Sequence, residues 1–384
     1  MNRKKSGLIA WVATIAASLV IVSQTGTDAI AAGNAPQDAR AVLLTPFLDG
    51  TNTSEAGSNQ NMADGWVKNG WFGTGLIYQR TFIPVGSTIN LTYNITDKNG
   101  SPLANQPVKL RINKGYSQST SIIEVDGIRT KGVDKPPLDQ ADVTHVTDAY
   151  GNVTFAVKDL DQPPMGEPEP DSFTSAPNIS ADGLNDLHSQ MLLEIAGEKP
   201  DHSAITEFHY YLPKKVINYS TTKPNLKLIS PALTDQNSYA INANSKALYV
   251  NAGSNLVVAY KVTDDNGLSL PNATVQIKIG STTLTSVSDA MGYAVFTIKD
   301  TRTKGEAKPA AMNAKPPATG SVATTIAPTV VGSNAVNADS LEIHYYGSAA
   351  APKATATTIK CLKGSTMVKV TGVNPSCPKG YKKG

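Results

Sequence analysis

Three sets of residues in this 384-residue chain have types and spacings that could do chemistry. Trp66 and Trp71 stand five residues apart, with Phe72 beside the second, in GWVKNGWFGTGLIYQR (65–80). Flat rings at that spacing stack on sugars, which would serve a binder of cell-wall or extracellular polysaccharide. The same rings also suit the plug of a β-sandwich end, because large aromatics dominate burial energetics, and the plug is the reading preferred here. The second set is Asp97 in Asp-Lys-Asn-Gly (97–100) and Asp264 in Asp-Asp-Asn-Gly (264–267). Calcium gathers roughly six to eight oxygen ligands. Each corner offers two or three, so both aspartates are read as turn openers and no metal site is assigned. The third set is a repeated Glu-x-His, Glu207 with His209 and Glu342 with His344. It would be half of a metal site with the third ligand missing, and is expected to be a solvated pair on the outward face of a strand. The chain has no Gly-x-Ser-x-Gly elbow, His-Glu-x-x-His helix, phosphate loop or cysteine cluster. No catalytic residue or cofactor is therefore assigned, and no enzyme is expected.

The elements that carry these residues come in two copies. Gly86–Val108 aligns without a gap on Gly253–Val275, sharing Tyr93/Tyr260, Thr96-Asp97/Thr263-Asp264 and Asn99-Gly100/Asn266-Gly267. THVTDAYGNVTFAVKD (144–159) then matches TSVSDAMGYAVFTIKD (285–300), ITEFHYY (205–211) matches SLEIHYY (340–346), and LLTPFL (43–48) matches LISPAL (228–233). Four blocks in one order are a duplicated domain. Ile89, Leu91, Tyr93 and Ile95 alternate with polar residues. So do Leu256, Val258, Tyr260 and Val262, with Val257 the one apolar exception. Period two predicts strands with one buried face. Phe208 and Tyr210, or Ile343 and Tyr345, supply the inner face of the last strand. Asp-x-Asn-Gly and Asp-Ala-x-Gly between the strands are turn chemistry, with glycine taking positive φ. Short alternating strands and turns, without an amphipathic helix, predict an all-β chain of two tandem β-sandwiches.

The strings Val-Thr-Asp-Asp-Asn-Gly and Ser-Asp-Ala-Met-Gly-Tyr-Ala-Val-Phe carry a resemblance to bacterial Ig-like domains of the invasin and intimin type. In that family a strand ends in Thr-Asp-x-x-Gly, and a later Asp-Ala-x-Gly turn leads into an apolar strand. The likeness covers roughly 86–158 and 253–300. It implies rigid, stacked modules on a cell surface, serving as stalks or adhesins. The chain departs from the pattern in the stretches 113–143, 159–204 and 300–339. Two of these contain proline-rich runs, DQPPMGEPEP (161–170) and KGEAKPAAMNAKPP (304–317). The second is expected to be mobile. The first is expected to pack in part through Leu184, Leu187, Met191 and Leu192.

The ends are of different character. Arg3, Lys4 and Lys5 precede an apolar run, Leu8–Val22, and an Ala-x-Ala site, so residues 1–32 read as a secretory signal peptide. The run is short for an uncleaved anchor, and no membrane span follows it. The domains expected are 33–215, with insertions, and 216–346. A flexible linker (347–358) and a basic tail (359–384) follow. Cys361 and Cys377 are the only cysteines, and in an exported protein they should pair across a small β-hairpin. The tail resembles the lysine-rich, two-cysteine tails of exported actinobacterial proteins. Residues 347–384 carry seven lysines and no acid. With the chain at +3 and residues 1–32 at +2, that leaves −6 on 33–346. Lys360, Lys363, Lys369, Lys379, Lys382 and Lys383 would meet anionic wall polymers electrostatically. The expected protein is secreted or cell-surface associated, structural or adhesive, with no nucleic-acid partner; polysaccharide binding through Trp66 and Trp71 is the alternative.

Overall fold

The computed structural model describes residues 39–47, 54–55, 77–114, 123–129, 140–160, 167–169, 188–195, 202–214, 217–317, 323–333, 336–348, 357–363, 366–372 and 382–383. All its regular elements are β-strands, so the chain is all-β. No helix among the described residues is long and apolar enough to cross a membrane.

Two separate hydrophobic cores follow the two copies. Strand Thr88–Thr96 lies between Arg40–Thr45 and Asn152–Asp159. It turns Ile89, Leu91, Tyr93 and Ile95 into the first core, where all four are buried. Strand Asn255–Thr263 repeats the arrangement between Asn225–Ser230 and Tyr293–Lys299, burying Leu256, Val258, Tyr260 and Val262. The facing layers hold the closing strands His202–Leu212 and Ser340–Tyr346, with Phe208, Tyr210, Ile343 and Tyr345 pointing inward. In the first copy Arg40 and Ala41 also pair with His202 and Ser203, which joins the two layers along one edge.

The corners form as their residues require. Asp97 Oδ1 accepts the N–H groups of Asn99 and Ser101, both at 2.8 Å, and Gly100 sits at φ 81°. Asp264 does the same for Asn266 and Leu268, with Gly267 at φ 83°. Gly151 and Gly292 are required twice over. Both have positive φ, and an added Cβ would lie 2.3 Å from the Ile95 carbonyl oxygen and 2.6 Å from that of Val262. No other residue type fits so close to a neighbouring backbone.

The departures from the family pattern add strands. In the stretch 113–143, Ile123–Val125 pairs with the edge of Asn152–Asp159 and sends Ile123 and Val125 into the first core. In 159–204, strand His188–Ile195 buries Leu193 and Ile195; Leu184 and Leu187 lie outside the described residues. The second proline-rich run is tied to the sandwich at particular residues. Residues 304–306 bridge the end of the closing strand, with the Gly305 and Glu306 N–H groups bonded to the carbonyls of Gly347 and Tyr345, and Asn313 Nδ2 donates to the Asp235 carbonyl. Arg302 is fixed to Asp300 at 2.7 Å and lies over the Tyr345 ring. The tail shows the expected hairpin, Thr357–Lys363 with Thr366–Gly372, and a third strand, Lys382–Lys383, pairing with Cys361 and Leu362. Cys377 and the signal segment lie outside the described residues.

Candidate functional site

A buried polar constellation joins the two copies, and it begins as a gap in each sheet. Strand Arg40–Thr45 bulges and stops pairing with Thr88–Thr96 at Thr45, opposite Thr92. Strand Asn225–Ser230 bulges at the equivalent place and stops at Ser230, opposite Ala259. The Thr45 hydroxyl donates to the Asn90 carbonyl at 2.7 Å, and the Ser230 hydroxyl to that of Val257 at 3.0 Å. Beyond these points the neighbouring strand no longer supplies partners for the N–H groups of Asn90 and Val257. Buried backbone groups need partners.

The Asp-Ala-x-Gly turn of the opposite copy supplies them. Asp289 Oδ2 accepts the Asn90 N–H at 2.8 Å, and Asp148 Oδ2 accepts the Val257 N–H at 2.6 Å. One residue along each turn, the Ala290 N–H donates to the Thr88 carbonyl and the Ala149 N–H to that of Asn255. Thr88 and Asn90 occupy the same alignment positions as Asn255 and Val257, so the contact is reciprocal, each copy giving a turn and receiving one. The other carboxylate oxygen organises the turn itself. Asp148 Oδ1 takes the N–H groups of Tyr150 and Asn152, and Asp289 Oδ1 those of Met291 and Tyr293. The third turn residue crosses the boundary: Tyr150 is buried in the second core and Met291 packs against the first. The Tyr150 hydroxyl donates to the Tyr249 carbonyl at 2.9 Å, and the Tyr293 hydroxyl accepts the Phe47 N–H at 2.8 Å.

Both carboxylates are deeply buried, Asp148 at 3% and Asp289 at 5% exposure. Burial pushes each carboxyl up to about 6, against the pull of the backbone N–H donors. Lys261 also draws Asp289 downward; its ammonium bonds the Ser269 hydroxyl and the Met291 carbonyl. A buried carboxylate saturated with backbone donors is a structural acceptor. It is poorly placed to exchange protons with a substrate.

Asp265, where the first copy has Lys98, has a separate task. Its carboxylate takes the Ser220 hydroxyl at 2.7 Å and the Lys223 N–H at 2.8 Å, which straps the connection between the copies to the Asp-Asp-Asn-Gly corner.

The reading of Glu-x-His as a solvated pair is corrected. His209 and His344 are both fully buried. The neighbouring strand places an aromatic ring beside each, Phe82 at 5.8 Å and Tyr249 at 5.5 Å. In the second copy the segment through Gly305 and Glu306 bridges the end of the same strand at Tyr346 and Ser348. His344 Nε2 bonds Glu342, while its Nδ1 is buried without a hydrogen-bond partner. The Glu207 side chain is not among those described.

A second His–carboxylate pair links His145 to Asp126 of the first copy's insertion. His145 Nδ1 contacts the Thr154 carbonyl at 2.8 Å and Nε2 approaches Asp126 at 3.5 Å. Asp126 accepts the Ala156 N–H at 2.9 Å, so the pair pins the inserted hairpin to the sheet edge. Among the described residues no group of three His, Cys, Asp or Glu side chains is placed to hold a metal. Trp66, Trp71, Phe72 and Lys379 lie outside the described residues. Lys360, Lys363, Lys369, Lys382 and Lys383 fall on the three tail strands. The site residues that sequence reasoning missed are Asp148 and Asp289, whose turn was read but not its partner. Val257, the apolar residue that broke the alternation, was the available signal.

No family model matches the chain, and no curated protein does. Among solved structures, it is similar to FdeC, an Escherichia coli adhesin, at 10% identity and a TM-score of 0.22, covering 76% of this chain and 70% of that one. It is similar to invasin, a bacterial integrin-binding protein, at 14% identity and a TM-score of 0.19, covering 76% of this chain and 45% of that one. It is similar to InvD of Yersinia pseudotuberculosis at 12% identity and a TM-score of 0.20, covering 76% and 66%. The chain thus spans less than half of the invasin structure.

Proposed function

We propose that the chain is an exported, non-enzymatic protein of the bacterial surface with a structural or adhesive task. The observation that carries this reading is the reciprocal junction. Its deeply buried carboxylates are committed to backbone N–H groups that join two sandwiches. Two sandwiches joined through buried hydrogen bonds and exchanged apolar side chains form a stiff spacer. The basic tail gives that spacer an electrostatic means of meeting anionic wall polymer, and the leader-like N-terminus supports export. The test is fractionation of the native host into cytoplasm, wall and medium, with protease shaving of intact cells. Recovery in the wall fraction with loss on shaving is expected. Recovery in the cytoplasm would overturn the reading.

A further inference from the structure

We propose that the junction is a pairing surface able to act between separate polypeptides, the first repeat of one copy of this chain seating on the second repeat of another copy. Each repeat carries both halves of the contact. The socket is the strand edge at Thr88–Asn90 or Asn255–Val257, and the plug is the turn Asp148–Gly151 or Asp289–Gly292. Four cross-repeat hydrogen bonds, two to carboxylates and two between backbones, follow the same alignment positions in both directions. Contact through equivalent patches in both directions is isologous in character, so it closes a pair and does not propagate a row. End-to-end stacking of modules would use different patches on the two partners.

The connecting segment is not what makes this contact. It is strapped to the Asp265 corner, whereas the plugs reach across 109 and 199 positions of sequence. The most telling side chain is Tyr150. It belongs to the first repeat's turn, is 6% exposed, and lies in the second core, leaving its own core complete without it. A side chain that contributes only to its partner's core is an interface anchor. Pairing needs no third component, and a second copy presents the same plug and socket. This inference concerns association and holds or fails whatever the protein's location.

The experiment uses the full chain with a protease site replacing residues 215–216, cleaved after folding. The cleaved halves are expected to co-elute as a one-to-one pair at about 1 μM. Two cleaved preparations with different affinity tags should exchange halves on mixing. Tyr150→Ala should weaken pairing at least about 100-fold, since truncating a buried aromatic removes most of its contacts. Circular dichroism of the separated halves should still show β-structure. Met291→Ala, the milder truncation on the other plug, should give a smaller loss in the same direction. Separation of the wild-type halves on cleavage, or pairs that never exchange tags, would overturn the proposal.

Discussion

Replacing Asp148 by asparagine exchanges a buried anion for its neutral isostere, and the consequence is a change in how stability depends on pH. In the folded chain burial holds this carboxyl at about 6, against an ordinary value of 3.8, although the N–H groups of Val257, Asn152 and Tyr150 favour the anion. Between those values the folded state holds a proton that the unfolded chain has released. The wild type's stability from this group is therefore fully present below 3.8 and is lost as pH rises through about 6. At 1.36 kcal/mol per pH unit the whole loss is about 3 kcal/mol, of which about 2–3 falls between pH 4 and 7.5. The asparagine side chain does not titrate. The wild type minus variant difference should thus move by that amount, in the variant's favour, as pH rises. A constant offset from the altered contact with the Val257 N–H leaves the slope untouched. Urea unfolding of both proteins across this range, analysed with one m-value, measures the slope. A difference that does not change with pH would refute the reasoning. A reversed slope would show that four donated hydrogen bonds outweigh desolvation.

Three further outcomes are expected. Gly292→Ala places a Cβ against the Val262 carbonyl at positive φ, and should destabilise the second sandwich by about 2–4 kcal/mol, read by urea unfolding; a neutral result would mean the turn relaxes freely. A reporter fused to residues 347–384 should be retained on purified wall at low salt and released at high salt, because screening shortens the attraction to about 8 Å; equal retention of the reporter with and without the tail would end the anchor reading. Trp66→Ala with Trp71→Ala should leave glycan-array binding unchanged if these rings plug a sandwich, whereas binding in the parent that vanishes in the variant would establish polysaccharide recognition.

Much of the fold was legible in the residues because its causes are local. Strand faces follow from period two, so Tyr93 and Tyr260 could be placed in equivalent cores before any contact was known. Corners follow from an aspartate that caps its own turn and a glycine that accepts positive φ, so Asp97-Gly100 and Asp264-Gly267 needed nothing distant. Strands within the departures from the family pattern, such as Ile123–Val125, were not legible. Ile123–Val125 is three residues long, and a paired edge rather than its own pattern makes it a strand.

Tertiary structure alone decided which polar residues matter. Asp148 and Asp289 look like any turn opener until folding brings each against the unpaired edge of the other copy. His209 and His344 sit on the alternation's outward face, yet both are buried, each with an aromatic ring of the neighbouring strand beside it. Periodicity tells which side of a sheet a residue faces. Whether that side meets water or another part of the chain depends on residues far off in sequence, as Phe82 is from His209 and Tyr249 from His344.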